Sequence, residues 1–443
     1  MIEKNTSTTS RTAAEAGWRL SRYNLTVQLP EKGTVAIANL FRGTCAEYGP
    51  VDLYLMSVLD EIKEDHPIIP RLAKRGVIVN FDELAALDTL GRLSCGFGSA
   101  VSLTICPTMG CNFDCSYCFE NHYPGRMTAD VQEDVVSLAR RLMDAGRTKN
   151  LSVTWFGGEP LLAPDIISSL SEKLIALAKE HQAEYYASIV TNGYLLTPEN
   201  VNILEAARIK KAQVTLDGIG AAHDATRRLA NGGSTFDRII ANLRQPLPFP
   251  VHIRHNVHAG NRDEVEKLKS FVETLAAETG NKIAYYPAPV TGSDTADQRG
   301  QMVDVLDQTE DCSVDLLQDT QRFTRGRRHY CGTGLLRSVC IDEKGRLQKC
   351  WEAVDKEAIS FGNAHDWDPM DPLVTASAPD NLTKFLNIAA PLDDEECREC
   401  IWLPACAGGC PYQRLFRKRS CVGYRNDPEA YVRGLLARME KSS

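Results

Sequence analysis

The pattern of apolar and polar positions changes character along the chain. Residues 23–29 and 34–41 are mostly β-formers, separated by the turn signal Glu31-Lys32-Gly33. Residues 51–62 and 66–74 read as short helices, and residues 77–79 as a further strand. Together they predict a compact α+β unit over residues 21–92. The polar, Ser- and Thr-rich residues 1–20 before it are expected to form a disordered tail. From residue 100 the pattern becomes repetitive. Apolar runs at 101–105, 151–156, 186–190, 212–216, 251–257 and 283–286 alternate with amphipathic helical stretches at 128–145, 164–179, 197–207, 235–243 and 263–279. Strands alternating with helices imply a parallel sheet with crossover helices over residues 100–300, and the pattern leaves open whether that sheet closes. Beyond about residue 300 the alternation stops, and residues 301–443 are irregular and rich in cysteine.

Composition narrows the function. No run approaches the roughly 18 apolar residues that would span a membrane, and the N-terminus lacks the apolar core of a secretory signal. A cytoplasmic protein is expected. A net charge of −8 gives no general attraction to nucleic acid. Fifteen cysteines in such a chain argue against a disulfide scaffold, because the cytosol keeps thiols reduced. Tight cysteine spacings there point to metal or catalysis. Cys45, Cys95, Cys106 and Cys312 stand apart and read as small buried hydrophobes.

The densest chemistry is Cys111-Asn-Phe-Asp-Cys115-Ser-Tyr-Cys118, directly after the first strand of the β/α repeat. This spacing also fits one face of a helix. Pro107 and Gly110 before it, and Asn112 and Asp114 within it, favour a loop. Three thiolates on one loop can bind three irons of a cubane and leave the fourth open to a small chelating molecule, whereas a closed structural site wants four protein ligands. The motif, followed by the aromatic Phe119, resembles the signature of the radical S-adenosylmethionine (SAM) superfamily. The resemblance implies that Cys111, Cys115 and Cys118 hold a [4Fe–4S] cluster whose open iron is chelated by SAM. Gly157-Gly158-Glu159-Pro160 resembles the family's GGEP element, with the glycines letting backbone approach the ligand and Glu159 accepting from the SAM ammonium. Ser188 and Asn192, in and after the third strand, resemble its ribose and carboxylate contacts. Arg227, following Asp217-Gly218, is expected to pair with the SAM carboxylate, and Tyr117 to lie beside the adenine. Elements at successive strand ends form a site because ligands of parallel β/α architectures bind at the C-terminal edge. The implied fold is α/β, a partial (β/α)6 radical SAM barrel.

The cysteines after residue 300 resemble the SPASM extension of peptide-modifying radical SAM enzymes. Cys331, Gly345 and Cys350 come first, then Cys397-x2-Cys400-x5-Cys406-x3-Cys410, then Cys421. The resemblance implies two auxiliary [4Fe–4S] clusters, three in all. Cys397, Cys400, Cys406 and Cys421 would ligate the distal one, and Cys331, Cys350 and Cys410 the proximal one. A pair of zinc sites is the competing reading of the CxxC spacing. Cys340 is either a fourth proximal ligand or, by preference, a strand residue of the hairpin turning at Glu343-Lys344-Gly345. The N-terminal unit resembles the winged-helix-like recognition element that adds a leader peptide as an extra strand, with a purely structural cap as the alternative. Every element of the SAM site lies beyond Ser102, so this unit is expected to be removable without loss of SAM cleavage.

The family therefore implies a SAM-dependent oxidoreductase acting on a ribosomally made precursor peptide with a leader, supplied by a flavodoxin- or ferredoxin-type electron donor. A 5′-deoxyadenosyl radical would abstract hydrogen from the peptide, and an intramolecular thioether or carbon–carbon crosslink would form. The alternative is a formylglycine-generating enzyme like the anaerobic sulfatase maturases. Those carry an Asp directly after the cysteine that Cys350 resembles, and here Trp351 and then Glu352 follow it. A non-catalytic electron carrier would have no use for the GGEP element.

Overall fold

The computed structural model describes residues 11–442 apart from 97–98, 259, 290–330, 389–390, 418–420 and 422–424. Cys312 lies outside them. The chain begins with β1 (Arg19–Leu20) and an antiparallel meander of β2 (Asn24–Leu29), β3 (Thr34–Asn39) and β4 (Thr44–Tyr48). Helices Pro50–Ser57 and Ile68–Arg75 follow, then β5 (Ile78–Val79), which pairs with β1, and helix Glu83–Gly96. The β4 strand and the last helix have no counterpart in the sequence reading. Residues 11–20 correct the expectation of a tail. Ala13 is fully buried, its N–H donates to Ile62 O at 2.6 Å, and β1 closes onto β5.

The repetitive region folds as its periodicity predicts. Its strands are β6 (Ala100–Ile105), β7 (Phe113–Cys115), β8 (Asn150–Trp155), β9 (Glu184–Thr191), β10 (Ile209–Thr215), β11 (Arg227–Leu229), β12 (Val251–Val257) and β13 (Ile283–Pro289). Strands β6, β8, β9, β10, β12 and β13 lie side by side and parallel in chain order. Helices Ala129–Asp144, Pro164–Glu180, Pro198–Ala206, Phe236–Arg244 and Val265–Thr279 cross between them. Thr128 and Thr197 cap two of these helices by accepting from Val131 N and Asn200 N. Side chains alternate between the two faces of each strand. Val101, Leu103, Ile105, Leu151, Val153, Ala187, Ile189, Val214 and Ile253 are buried in the main core with residues of the helices. Thr104, Thr154, Ser188, Gln213 and Arg254 occupy the other face and are only half-buried. This inner face is polar.

The cysteine-rich segment returns to the same sheet. Strands β14 (Ser338–Ile341), β15 (Arg346–Gln348) and β16 (Gly362–Asn363) extend it, with β14 parallel beside β6 in the register Ser338↔Ser102. Among the described residues the sheet has nine strands, in the open order β13-β12-β10-β9-β8-β6-β14-β15-β16. Position 300 is therefore no boundary in the sheet. Short helices Glu395–Arg398, Leu403–Cys406 and Pro411–Phe416 then carry cysteines, before the helix Pro428–Ser442. One face of the N-terminal meander packs onto this segment. Tyr23, Leu25, Val27 and Leu29 share a core with Trp402, Leu403, Tyr431 and Leu435. The opposite face, with Val35, Ile37 and Tyr48, packs with Met56, Ile69 and Leu72.

Candidate active site

The three closely spaced cysteines sit on the loop leaving β6. Burial holds that loop at its start, where Cys106 and Met109 are fully enclosed. Its far end is held by the β7–β11 ladder, which sets Cys115 opposite Arg227. Cys111, Cys115 and Cys118 line one cavity of 360 Å³, a size that suits a small-molecule site. Burial pushes the Cys111 thiol up to about 12 and raises Cys115, against the pull of Arg227. Thiolates here need a cation beside them, and a metal cluster supplies one. Phe113 N–H points at Cys111 Sγ from 3.4 Å, and His122 Nε2 lies 3.5 Å from Cys118 Sγ. Cys118 and Glu120 push the His122 imidazole up to about 10.

Behind the loop is a hydrogen-bonded network. The Tyr117 hydroxyl donates to Asp217 Oδ2 and accepts from Arg227 Nη1 at 2.8 Å and Asn256 Nδ2 at 3.0 Å. Asp217, fully buried, also accepts from Thr226 Oγ1 at 3.2 Å and from Asn256 N at 3.1 Å. Arg227 lies with its guanidinium 5.7 Å from the Phe113 ring centroid, and its buried Nε has no partner among the described residues. A buried guanidinium with an unpartnered N–H, at a cavity ringed by three thiols, fits the carboxylate of a ligand bound there.

The strand-end motifs converge on this cavity, though not all in the expected way. Gly157, Gly158, Asn192 and Arg227 line it. The two glycines answer first to the neighbouring loop. A Cβ at Gly157 would fall 2.4 Å from Thr108 O, and one at Gly158 would fall 2.3 Å from Gly110 O. Gly157 moreover has φ +105°, which disfavours any side chain. Glu159 is fully buried and faces protein. Its carboxylate accepts from Leu161 N at 2.9 Å, Thr191 Oγ1 at 2.7 Å and Asn192 N at 2.7 Å, tying the end of β8 to that of β9. Ser188 lies deeper on β9, 3.2 Å from Thr154 Oγ1, and is not among the lining residues. Tyr117 turns its hydroxyl inward, as described.

The C-terminal cysteines fall into two neighbourhoods. After burial itself, Cys421, Cys397 and Cys400 are among the influences that raise the Cys406 thiol. Cys331 is likewise felt by Cys350, Cys410 and Cys340. Cys340 is a buried strand residue of β14, as preferred from the sequence, and it faces this second neighbourhood too.

Residues 105–272 match the Radical SAM superfamily. This segment is a radical SAM domain. Beyond that segment, about 70% or more of the chain is similar to several proteins. PqqA peptide cyclase of Gluconobacter oxydans is 23% identical over 319 residues, which cover 70% of this chain and 84% of that protein. Mycofactocin maturase MftC of Mycobacterium tuberculosis is 27% identical over 344 residues, covering 72% and 81% respectively. The solved structure of native anSMEcpe with bound AdoMet and Cp18Cys peptide shares the fold, with a TM-score of 0.55 at 20% identity over 77% of this chain and 98% of that one. The radical SAM domain thus implies SAM and a [4Fe–4S] cluster at the cavity, and the donor set found there suits both.

Sequence reading missed other residues of the radical SAM cavity. Gln213, Thr215, Arg254 and Asn256 reach it from β10 and β12, and Glu120, His122 and Phe156 from loops, beside the Trp351 and Glu352 that follow Cys350. Trp351 stacks on Phe156 with centroids 5.5 Å apart, so an aromatic pair occupies the place where a carboxylate would stand in the alternative reading. The polar alternate positions of β10 and β12 were the available signal.

Proposed function

We propose that this chain is a radical SAM peptide maturase that crosslinks a ribosomally made precursor. The observation that carries this reading is the cavity itself, where the three-cysteine loop and Arg227 meet the polar, half-buried Gln213 and Arg254 of the inner sheet face. The likeness to a peptide cyclase along most of both chains supports it. In this reading Cys111, Cys115 and Cys118 hold the SAM-binding cluster. Cys397, Cys400, Cys406 and Cys421 hold a distal auxiliary cluster, and Cys331, Cys350 and Cys410 a proximal one. When bound, cluster and SAM supply a 5′-deoxyadenosyl radical that takes hydrogen from carbon. The chain's own residues position the reactants. Arg227 takes the SAM carboxylate, and Tyr117 with Asn256 fixes the direction of Arg227. The Gly157-Gly158 backbone would border bound SAM, and the stacked Phe156–Trp351 pair lining the same cavity would help to keep water from it.

The N-terminal meander would take the leader. Strands β2 and β4 each pair only with β3 among the described residues, which leaves sheet edges for strand addition. A flavodoxin- or ferredoxin-type protein would supply electrons. No described helix is long and apolar enough to cross a membrane. The formylglycine alternative is weakened by Trp351, which leaves no carboxylate directly after Cys350. The test is anaerobic incubation of the reconstituted enzyme with SAM, a reductant and a candidate precursor peptide from a short reading frame near its gene. A product lighter by two hydrogens and without an aldehyde is expected. An aldehyde at Cys or Ser would sink the crosslinking reading.

A further inference from the structure

Arg254 has no counter-charge in the described fold. It stands on β12 two residues below Asn256, in the row Thr215↔Arg254↔Tyr286 across three parallel strands. Its Nε donates to Asn256 Oδ1 at 2.7 Å, and its guanidinium lies 6.0 Å from the Tyr286 ring centroid. These contacts orient the side chain, which lines the cavity. Among the described residues no carboxylate pairs with it, whereas the similarly enclosed Arg346 and Arg414 pair with Asp342 and Asp394 at 2.6 and 3.8 Å. A guanidinium stays charged at any physiological pH, and leaving it half-buried without an anion is costly. SAM brings a single carboxylate. Arg227 is the nearer claimant for it, since the β7–β11 ladder sets Arg227 opposite Cys115. Arg254 is separated from Arg227 by the chain of hydrogen bonds through Asn256 and Tyr117.

We propose that Arg254 anchors a carboxylate of the substrate, so that the modified segment carries an acidic group near the carbon that loses hydrogen. This rests on the peptide reading above. The planar fork of Arg254 suits a two-point grip on a carboxylate, from either an acidic side chain or a chain terminus.

The test is binding to the full-length, cluster-reconstituted enzyme with SAM present, read by saturation-transfer NMR. The probes are glutarate, N-acetyl-glutamate N-methylamide, its glutamine counterpart, and N-acetyl-alanyl-alanine with a free terminus. The glutamate probe or the free-terminus probe should bind, and which one binds assigns the source of the carboxylate. The Arg254→Gln variant should weaken that probe by roughly 10- to 100-fold. Arg254→Lys should fall between, because it keeps the charge and loses the fork. If the variants do not fold, phenylglyoxal labelling of wild-type Arg254 should be slowed by glutarate. Peptide probes bound equally with glutamate and glutamine, and equally by Arg254→Gln, would overturn the anchor while leaving the peptide reading intact. Glutarate protection without binding of any peptide probe would uphold the anchor and remove the peptide reading. Loss of SAM binding in Arg254→Gln with acid binding retained would assign Arg254 to SAM and end the proposal.

Discussion

Glu159 and Arg227 come from the same kind of strand-end motif and end in different situations. The Glu159 carboxylate is enclosed by Leu161 N, Thr191 Oγ1 and Asn192 N. Glu159→Ala should therefore lower unfolding stability by about 1–3 kcal/mol, the cost of leaving buried donors unmet, in denaturant melts of the protein. Arg227→Ala should instead weaken SAM by about 1–3 kcal/mol. Tyr117→Phe should cause a smaller loss in the same direction, because it removes only the hydroxyl that aims Arg227. Equilibrium SAM titration separates the two classes, and a Glu159→Ala protein of normal stability with poor SAM binding would reverse the assignment. A second residue reports on pH. His255 is fully buried, with Nε2 beside Asn261 Nδ2 at 3.1 Å and Nδ1 beside Tyr285 OH at 2.9 Å, and burial holds it down at about 4 against an ordinary 6.5. As pH falls, the unfolded chain takes up this proton first. Stability that is intact above about pH 6.5 should then be lost progressively toward about pH 4, on the order of 3 kcal/mol from this group. Melts of His255→Gln should show a shallower decline over that range. The cysteines and strand-end glycines of the site were legible because each motif is contiguous in sequence. The Tyr117–Asp217–Asn256 hub was not, since its members lie 100 and 139 positions apart from Tyr117 and meet only once the strands align.

At the scale of elements, the six parallel strands and the five helices between them were readable within a few residues, because each strand buries one whole face and each helix one stripe. Two things escaped. The β4 strand, Thr-Cys-Ala-Glu-Tyr, alternates too weakly to announce itself. The β14 hairpin joins β6 across 236 positions of sequence, and such a pairing leaves no local trace. The N-terminal unit was legible in outline, but its packing was not. Sequence order made it look removable, yet Tyr23, Leu25, Val27 and Leu29 share a core with Trp402, Tyr431 and the buried Cys397. Deleting residues 23–90 should therefore expose apolar surface on the cysteine-rich segment as well as remove leader docking. The truncated protein is expected to lose iron and to aggregate on size-exclusion chromatography. A soluble truncated protein with full iron content would restore the unit to a detachable module.

Across the whole molecule, the proposed clusters and the apolar cores are one construction. Anaerobic reconstitution should give about twelve irons if each site holds a four-iron cubane. Replacing Cys111, Cys115 and Cys118 by Ala should remove about a third of them and all SAM cleavage. Replacing Cys397, Cys400 and Cys406 should remove a similar share and also lower the melting temperature of the N-terminal unit, since that loop lies in its core. Iron and melting are read by colorimetric assay and by fluorescence. The meander's inner face has a further consequence. Its partners include Tyr431 and Leu435, and the surface pair Glu31–Arg433 spans the same contact at 2.7 Å. During synthesis, at about 5–20 residues per second, the first sheet leaves the ribosome with one apolar face and waits for almost the entire chain before its cover emerges. Nascent chains of this protein should depend on chaperones for that interval, and stalling translation before residue 428 should leave the first sheet open to protease.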